Sequence, residues 1–260
     1  MRSLSRFLPI LVGLALGYLM VSPPDALERL GPWRWLVVLA LVLLGLLAFT
    51  AYQLSANLPA EPPLEPAPES EVAGDVRGLC ARLEALGFRR IGPPMTVGIS
   101  PPALMVAFVH EAERSYATAF RTGTVPRKTA FDCVSILDGD RGGLTTGAEA
   151  AGAAIPAARG ALRQVFPGAG VEEVFDRHRQ ALQHLRARGL SARAVSASTF
   201  RRDFALSFRR QREAVLAAPL RAAAVTLWRA STGRTPHLGP IASQAVARAA
   251  IRDLLTGTRG

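Results

Sequence analysis

The eighteen residues Trp35–Tyr52 read WLVVLALVLLGLLAFTAY, and none of them is charged. A membrane-spanning helix needs about 20 mostly apolar residues, because it must cross roughly 30 Å of hydrocarbon at about 1.5 Å per residue. Trp33 and Trp35 at the start and Tyr52 at the end are the aromatic residues typical of the two membrane–water interfaces. The stretch therefore predicts a transmembrane helix at about residues 34–53.

A shorter apolar stretch, Phe7–Val21, precedes it and follows Arg2 and Arg6. As a helix it covers about 23 Å, so it crosses the hydrocarbon only with help from flanking residues or local thinning of the bilayer. A secretory signal peptide has a similar pattern, but no small-residue cleavage site follows this stretch. We expect an uncleaved second helix at about residues 7–22, which gives a transmembrane hairpin within residues 1–55.

The positive charges set the expected orientation of this hairpin. Arg2, Arg6 and the terminal amine favour a cytoplasmic start, because loops that stay inside carry the excess of basic residues. The chain is then a multi-pass protein of a bacterial inner membrane, with its large C-terminal domain in the cytoplasm. Gly13 and Gly17 form a GxxxG pattern, which either packs membrane helices closely or reflects the ordinary glycine content of such helices.

The segment after the hairpin, residues 56–72, is rich in proline and glutamate and includes PAEPPLEPAPES at positions 59–70. Such a composition cannot build a core and favours an extended polyproline II spacer. Residues 73–260 then form the predicted cytoplasmic domain.

The domain begins with a helical apolar pattern and continues with strand patterns. Apolar spacing predicts a helix over Asp75–Leu86, followed by three strands in an antiparallel meander at Ala103–His110, Arg114–Arg121 and Thr129–Leu137. Helical patterns follow at about 171–185, 200–208, 216–230 and 241–255. Strands followed by helices indicate an α+β domain with an antiparallel meander sheet.

Positive charge is concentrated after the spacer. The whole chain has a formal net charge of +11, and Lys128 is its only lysine. This arginine excess follows either from a GC-rich coding bias or from selection for phosphate binding. The spacing of Phe200, Phe204 and Phe208 predicts a basic amphipathic helix, flanked by Arg201, Arg202, Arg209, Arg210 and Arg212.

These five arginines are the predicted contact for anionic lipid or for an acidic protein partner. The alternative is a solvated polar face above an ordinary core stripe. Self-association through the membrane helices is a further candidate interaction. Nucleic acid is not expected as a partner, because the chain is tethered, has no recognised nucleic-acid motif and does not interleave aromatic residues with its charge.

Three residues are candidates for nucleophilic or acid–base chemistry: His110, Cys133 and His178. Strand alternation turns Asp132 away from Cys133, so a triad formed from local residues is not expected. His178 and its nearest histidine in sequence are six positions apart and face different sides of a helix, which does not suit a metal pair. We expect no cofactor and no metal.

Several short motifs of the domain occur in a fixed order. They are Leu83-x-x-Leu86-Gly87-Phe88, Phe108-Val-His110, Ser135-x-x-Asp138-Gly139 with Thr145-Thr146, and His178 on a helix. This succession, over roughly residues 76–190, resembles an uncharacterised group of bacterial membrane-anchored proteins with an N-terminal helical hairpin and an α+β soluble domain. The resemblance implies a similar tethered domain and brings no catalytic residue with it.

Two functional hypotheses follow from the sequence. The first is a non-enzymatic, membrane-tethered interaction or scaffold domain that turns a basic face toward anionic lipid or an acidic partner. The second is a membrane-bound enzyme whose site is assembled around His110, Cys133 or His178.

Overall fold

A computed structural model describes residues 33–99, 102–121, 129–148, 157–232 and 238–256. The predicted helix at about 7–22, with its GxxxG pattern, lies outside these residues. The described residues form two compact units, one of residues 33–57 with 215–232 and one of the described residues within 58–214 with 238–256.

The described residues contain six α-helices and eight strands. The helices are α1 (Arg34–Asn57), α2 (Gly74–Ala85), α3 (Val171–Arg186), α4 (Phe200–Ala217), α5 (Pro219–Thr232) and α6 (Ala245–Thr256). The strands are β1 (Leu64–Pro66), β2 (Arg89–Arg90), β3 (Met95–Val97), β4 (Ala103–His110), β5 (Ser115–Arg121), β6 (Thr129–Ile136), β7 (Gly143–Gly147) and β8 (Ala161–Val165).

Helix α1 confirms that the strongest apolar stretch is a helix, and it is a candidate membrane span. Residues 39–57 have a mean hydropathy of 1.9, and 11% of this stretch is buried. A core helix of a soluble domain would be mostly buried, so α1 is not one. Within the described residues, α1 is the one helix long and apolar enough to cross a membrane. Two transmembrane helices are therefore not confirmed. Helix α5 forms a compact unit with α1, although the sequence places it in the domain at 73–260.

The eight strands form one mixed sheet in the order β1-β3-β4-β5-β6-β7-β8, with β2 paired to β4. The predicted three-stranded antiparallel meander is confirmed in β4, β5 and β6, and β7 extends it. The sheet as a whole is mixed and not purely antiparallel, because β8 joins β7 in parallel. Strand β1 pairs with β3 and lies inside the segment predicted as a spacer, so part of that segment belongs to the sheet.

Strand β8 was not predicted because its sequence, ALRQV, lacks apolar alternation. Its Gln164 is buried in the core, whereas Arg163, on the opposite side of the strand, lines a cleft. A buried polar side chain is uncommon in strands, and Gln164 interrupts the alternation of apolar and polar residues from which a strand is predicted.

Each face of the sheet is covered by helices. On one face, α2 and α3 bury an apolar cluster that includes Leu83, Phe108 and Cys133. A neighbouring cluster joins α3 and α6 to β7 and β8. On the opposite face, Phe200 and Phe204 of α4 pack among residues of β3, β4 and β5. This arrangement confirms the α+β class, and it holds α4 against the sheet.

Candidate functional site: a basic cleft beside helix α4

His178 lies at the centre of a buried network of polar side chains. It projects from α3 with 0% of its surface exposed. Its Nε2 atom is 2.9 Å from Ser135 Oγ, and its Nδ1 atom is 2.9 Å from Thr146 Oγ1. Ser115 Oγ is 2.8 Å from Ser135 Oγ, so the network continues across β5, β6 and β7. A hydroxyl next to an imidazole is the arrangement of a nucleophile and its base, which makes the proton positions decisive.

Hydrogen bonding determines which nitrogen of His178 carries the proton. Gln164 Nε2 donates to Thr146 Oγ1 at 2.8 Å and to the Arg177 carbonyl at 3.0 Å. The Ile241 amide donates to Gln164 Oε1 and fixes the orientation of that side-chain amide. Among the described residues, the acceptor left for the Thr146 hydroxyl is His178 Nδ1. The tautomer with its hydrogen on Nε2 is therefore the one that gives the Thr146 hydroxyl an acceptor.

Ser135 accordingly accepts a hydrogen bond from His178 and donates its own proton to the Arg114 carbonyl at 3.0 Å or to Ser115 Oγ. The imidazole is thus oriented to donate to this hydroxyl and does not remove its proton. Burial lowers the pKa of His178 to about 3, so the ring stays neutral. The network satisfies the buried polar groups that join α3 to the sheet and is not a Ser–His dyad.

His110 and Cys133 lie in different surroundings. The ring of His110 packs against Phe88 and Phe175, with centroid distances of 5.2 and 5.7 Å. Its Nδ1 atom accepts a hydrogen bond from the Glu113 backbone amide. Cys133 is buried in the apolar cluster under α2 and α3, and burial raises the pKa of its thiol. In the described part of the chain, no hydrogen bond joins these residues to each other or to His178.

The described residues also contain no group of three or more His, Cys, Asp or Glu side chains that could hold a metal ion.

The predicted basic helix exists as α4, but its two faces differ from the expectation for a helix that inserts into lipid. Phe200 and Phe204 pack against the sheet, so much of the apolar stripe is core. Arg201 and Arg202 are exposed and bond to the Leu64 carbonyl and to a neighbouring carboxylate.

The other three predicted arginines lie further along α4. Arg209 forms an exposed ion pair with Glu61, in the segment predicted as a spacer. Arg210 and Arg212 are half-buried. Any contact with lipid must therefore use the arginines and not the phenylalanine stripe.

Asp203 is a structural residue that the sequence did not reveal. It is 2% exposed in the first turn of α4, where it accepts hydrogen bonds from Tyr116 Oη at 2.8 Å and from Arg193. Burial, assisted by this carboxylate, raises the pKa of Tyr116 to about 12. The arrangement holds α4 to β5. In the sequence Asp203 differs from its surroundings only as an acidic residue next to Arg201 and Arg202. Its partners Tyr116 and Arg193 belong to other segments and could not be predicted.

A cleft lies between α4 and the adjoining strands β6, β7 and β8. Its floor contains Val134 and Ile136, and Thr145, Ser207 and Gln211 supply polar groups. Its cationic residues are Arg159, Arg163 and Arg210, and none of the residues that line it in the described part of the chain is acidic.

The three cleft arginines differ in their contacts. Arg163 donates to the Gln211 carboxamide, which holds its guanidinium in place. Arg159 and Arg210 form no ion pair within the described residues. Only Arg210 belongs to the set predicted from sequence. Arg163 was missed along with strand β8.

Asp132 is two residues from Val134 on the same side of β6 and does not line the cleft. Burial raises the pKa of its carboxyl to about 7, and the charge of Arg163 opposes this rise. At neutral pH the carboxyl group is therefore only partly ionised, and it offsets part of the charge of Arg163. The cleft combines guanidinium forks with hydroxyl and amide groups, which suits a phosphate or a carboxylate.

No protein-family model matches the chain, and neither a curated protein nor a solved structure does. The resemblance to a bacterial membrane-anchored group therefore stays a prediction from short motifs. Function has to be inferred from the geometry of the site.

Proposed function

We propose that this chain is a membrane-tethered, non-enzymatic interaction protein whose basic cleft binds the phosphate of anionic lipid headgroups. The observation that carries the proposal is the lining of the cleft, which among the described residues holds three arginines and no carboxylate. Arg210 is half-buried and forms no ion pair within the described residues, and such a cation gains more from an anionic ligand than a fully solvated cation does.

The proposed anchor is α1 together with the segment at about 7–22, in a bacterial inner membrane with the domain in the cytoplasm. The apolar length of α1 and the N-terminal Arg2 and Arg6 support it. Tethering favours lipid over a soluble acidic protein as the ligand, because it keeps headgroups near the domain at high effective concentration. The arginine fork also matches phosphate geometry better than a lysine does.

The enzyme hypothesis has less support. His178 donates to Ser135 within a sealed network, and Cys133 is buried in an apolar cluster. Neither side chain is available to a substrate from solvent, since each is fully buried.

Hydrogen exchange of the full chain in lipid vesicles tests the proposal. Amides of Phe200–Ala217 should exchange more slowly in vesicles with anionic lipid than in neutral ones, because a headgroup in the cleft stabilises α4. The double variant Arg159→Gln/Arg210→Gln should lose this difference.

The matched control is Arg89→Gln/Arg186→Gln, which removes two exposed positive charges outside the cleft. In this control the amides of α4 should still exchange more slowly in anionic vesicles than in neutral ones. Equal exchange of the wild-type chain in both would refute lipid binding. Loss of the difference in the control would show that only net charge matters. Protection by a polyglutamate peptide, without protection by anionic vesicles, would identify an acidic protein as the ligand.

A further inference from the structure

Helix α5 packs against α1, and the buried residues of both helices are small. The two helices belong to the same compact unit and contact each other. Among the residues of α1 whose burial is described, Ala48 and Ala51 are buried, and on α5 Ala222 and Ala223 are buried. Small side chains allow two helix backbones to approach closely, which is the usual way in which helices associate within a bilayer.

The outer side of α5 is apolar. Leu220 is 45% exposed and Trp228 is 55% exposed, and Ala224 lies exposed between them, so the three form one stripe at intervals of four residues. The sequence between Arg221 and Arg229 has no charged residue. The one hydroxyl within it, on Thr226, donates to the Ala222 carbonyl at 2.9 Å. A hydroxyl satisfied inside its own helix can enter hydrocarbon at little cost.

The position of the contact along α1 indicates the depth of α5. Ala48 and Ala51 lie in the C-terminal half of the apolar run Trp35–Tyr52, toward its Tyr52 end. Around them, Leu43, Leu46 and Phe49 of α1 are exposed on other sides of the helix. A helix packed on the alanine side of α1 lies at the same membrane depth as these exposed residues, and its outer side contacts the same lipid.

We propose that α5 is immersed in the bilayer beside α1, with Leu220, Ala224 and Trp228 facing the lipid acyl chains. This inference rests on the proposed membrane anchoring by α1. The seven uncharged residues between the arginines extend about 10 Å, which is too short to cross the hydrocarbon. Helix α5 therefore enters one leaflet without spanning the membrane, and the exposed Arg221 extends its guanidinium toward headgroups.

Tryptophan fluorescence of the reconstituted full chain tests this inference. The chain has three tryptophans, Trp33, Trp35 and Trp228. The variant Trp33→Phe/Trp35→Phe keeps only the reporter on α5, and Trp228→Phe keeps only the reporters of the anchor. Each variant is placed in vesicles whose lipids carry bromine atoms or a spin label on the acyl chain, and is then exposed to aqueous iodide.

Trp228 should emit at short wavelength, lose most of its emission to the acyl-chain quencher and be insensitive to iodide. Quenching by iodide and not by the lipid label would overturn the inference. Resistance to both quenchers would also overturn it and would indicate that a second copy of the chain covers this face. The variant that keeps Trp33 and Trp35 distinguishes the two proposals. If the lipid label quenches these two tryptophans but does not quench Trp228, the immersion of α5 is refuted and the membrane anchor is not. If no tryptophan is quenched by lipid, the membrane proposal fails as well.

Discussion

Replacement of His178 by glutamine should change how the stability of the domain depends on pH. In the folded protein burial lowers the pKa of His178 from 6.5 to about 3. Below pH 6.5 the unfolded chain binds a proton that the folded chain does not, so acid favours unfolding. Stability from this group is therefore complete above the unfolded pKa and is lost as the pH falls toward the folded value.

The size of the effect follows from these two values. At pH 5 the unfolded imidazole is almost fully protonated and the folded one is not, which costs the wild-type domain about 2 kcal/mol relative to pH 7.5. The His178→Gln chain lacks this loss. Asp132 acts in the opposite sense, because burial raises its pKa to about 7. It is present in both chains, so its contribution cancels when their profiles are subtracted.

Urea unfolding of the full chain in detergent micelles, followed by far-UV circular dichroism, measures this difference. Between pH 7.5 and pH 5 the wild-type midpoint should fall relative to that of the variant by about 1 M, for an m-value of about 2 kcal/mol per M. The variant itself should be less stable at pH 7.5, because glutamine does not fill the buried imidazole site. Parallel pH profiles would refute the assignment of a neutral, buried imidazole.

Three other substitutions have defined outcomes in the same assay. Asp132→Asn should make the chain more stable than wild type at pH 8 and not at pH 5, because the raised pKa means that deprotonation disfavours the folded state. Gly160→Ala should cost at least about 2 kcal/mol, since the residue has φ +74° and its Cβ would meet the Arg141 carbonyl. Arg82→Ala should leave the midpoint unchanged, because its ion pair with Glu172 is solvent-exposed. A large loss of stability in the Arg82→Ala chain would contradict the small contribution expected of solvent-exposed ion pairs.

Local periodicity was enough to predict much of the fold. The apolar run of α1, the helix α2 and the meander of β4, β5 and β6 follow from patterns within single segments. Strand β8 could not be predicted, because Gln164 faces the core and Arg163 faces a cleft, which removes the alternation.

The candidate site was predicted only in part, because it is assembled from distant segments. Arg210 belonged to a visible basic stripe, whereas Arg159 and Arg163 gained meaning only when β8 paired with β7. The contact of α5 with α1 joins helices that are far apart in the chain. No pattern within one segment specifies such a pairing.

The most direct test of the central claim is the hydrogen exchange of α4 in the full chain, measured in neutral vesicles and in vesicles that contain anionic lipid. We expect the amides of Phe200–Ala217 to be protected by anionic lipid, and raised salt to weaken that protection, because screening reduces the attraction between arginine and phosphate. Identical exchange in both kinds of vesicle at low salt would contradict the proposal that the cleft binds lipid headgroups.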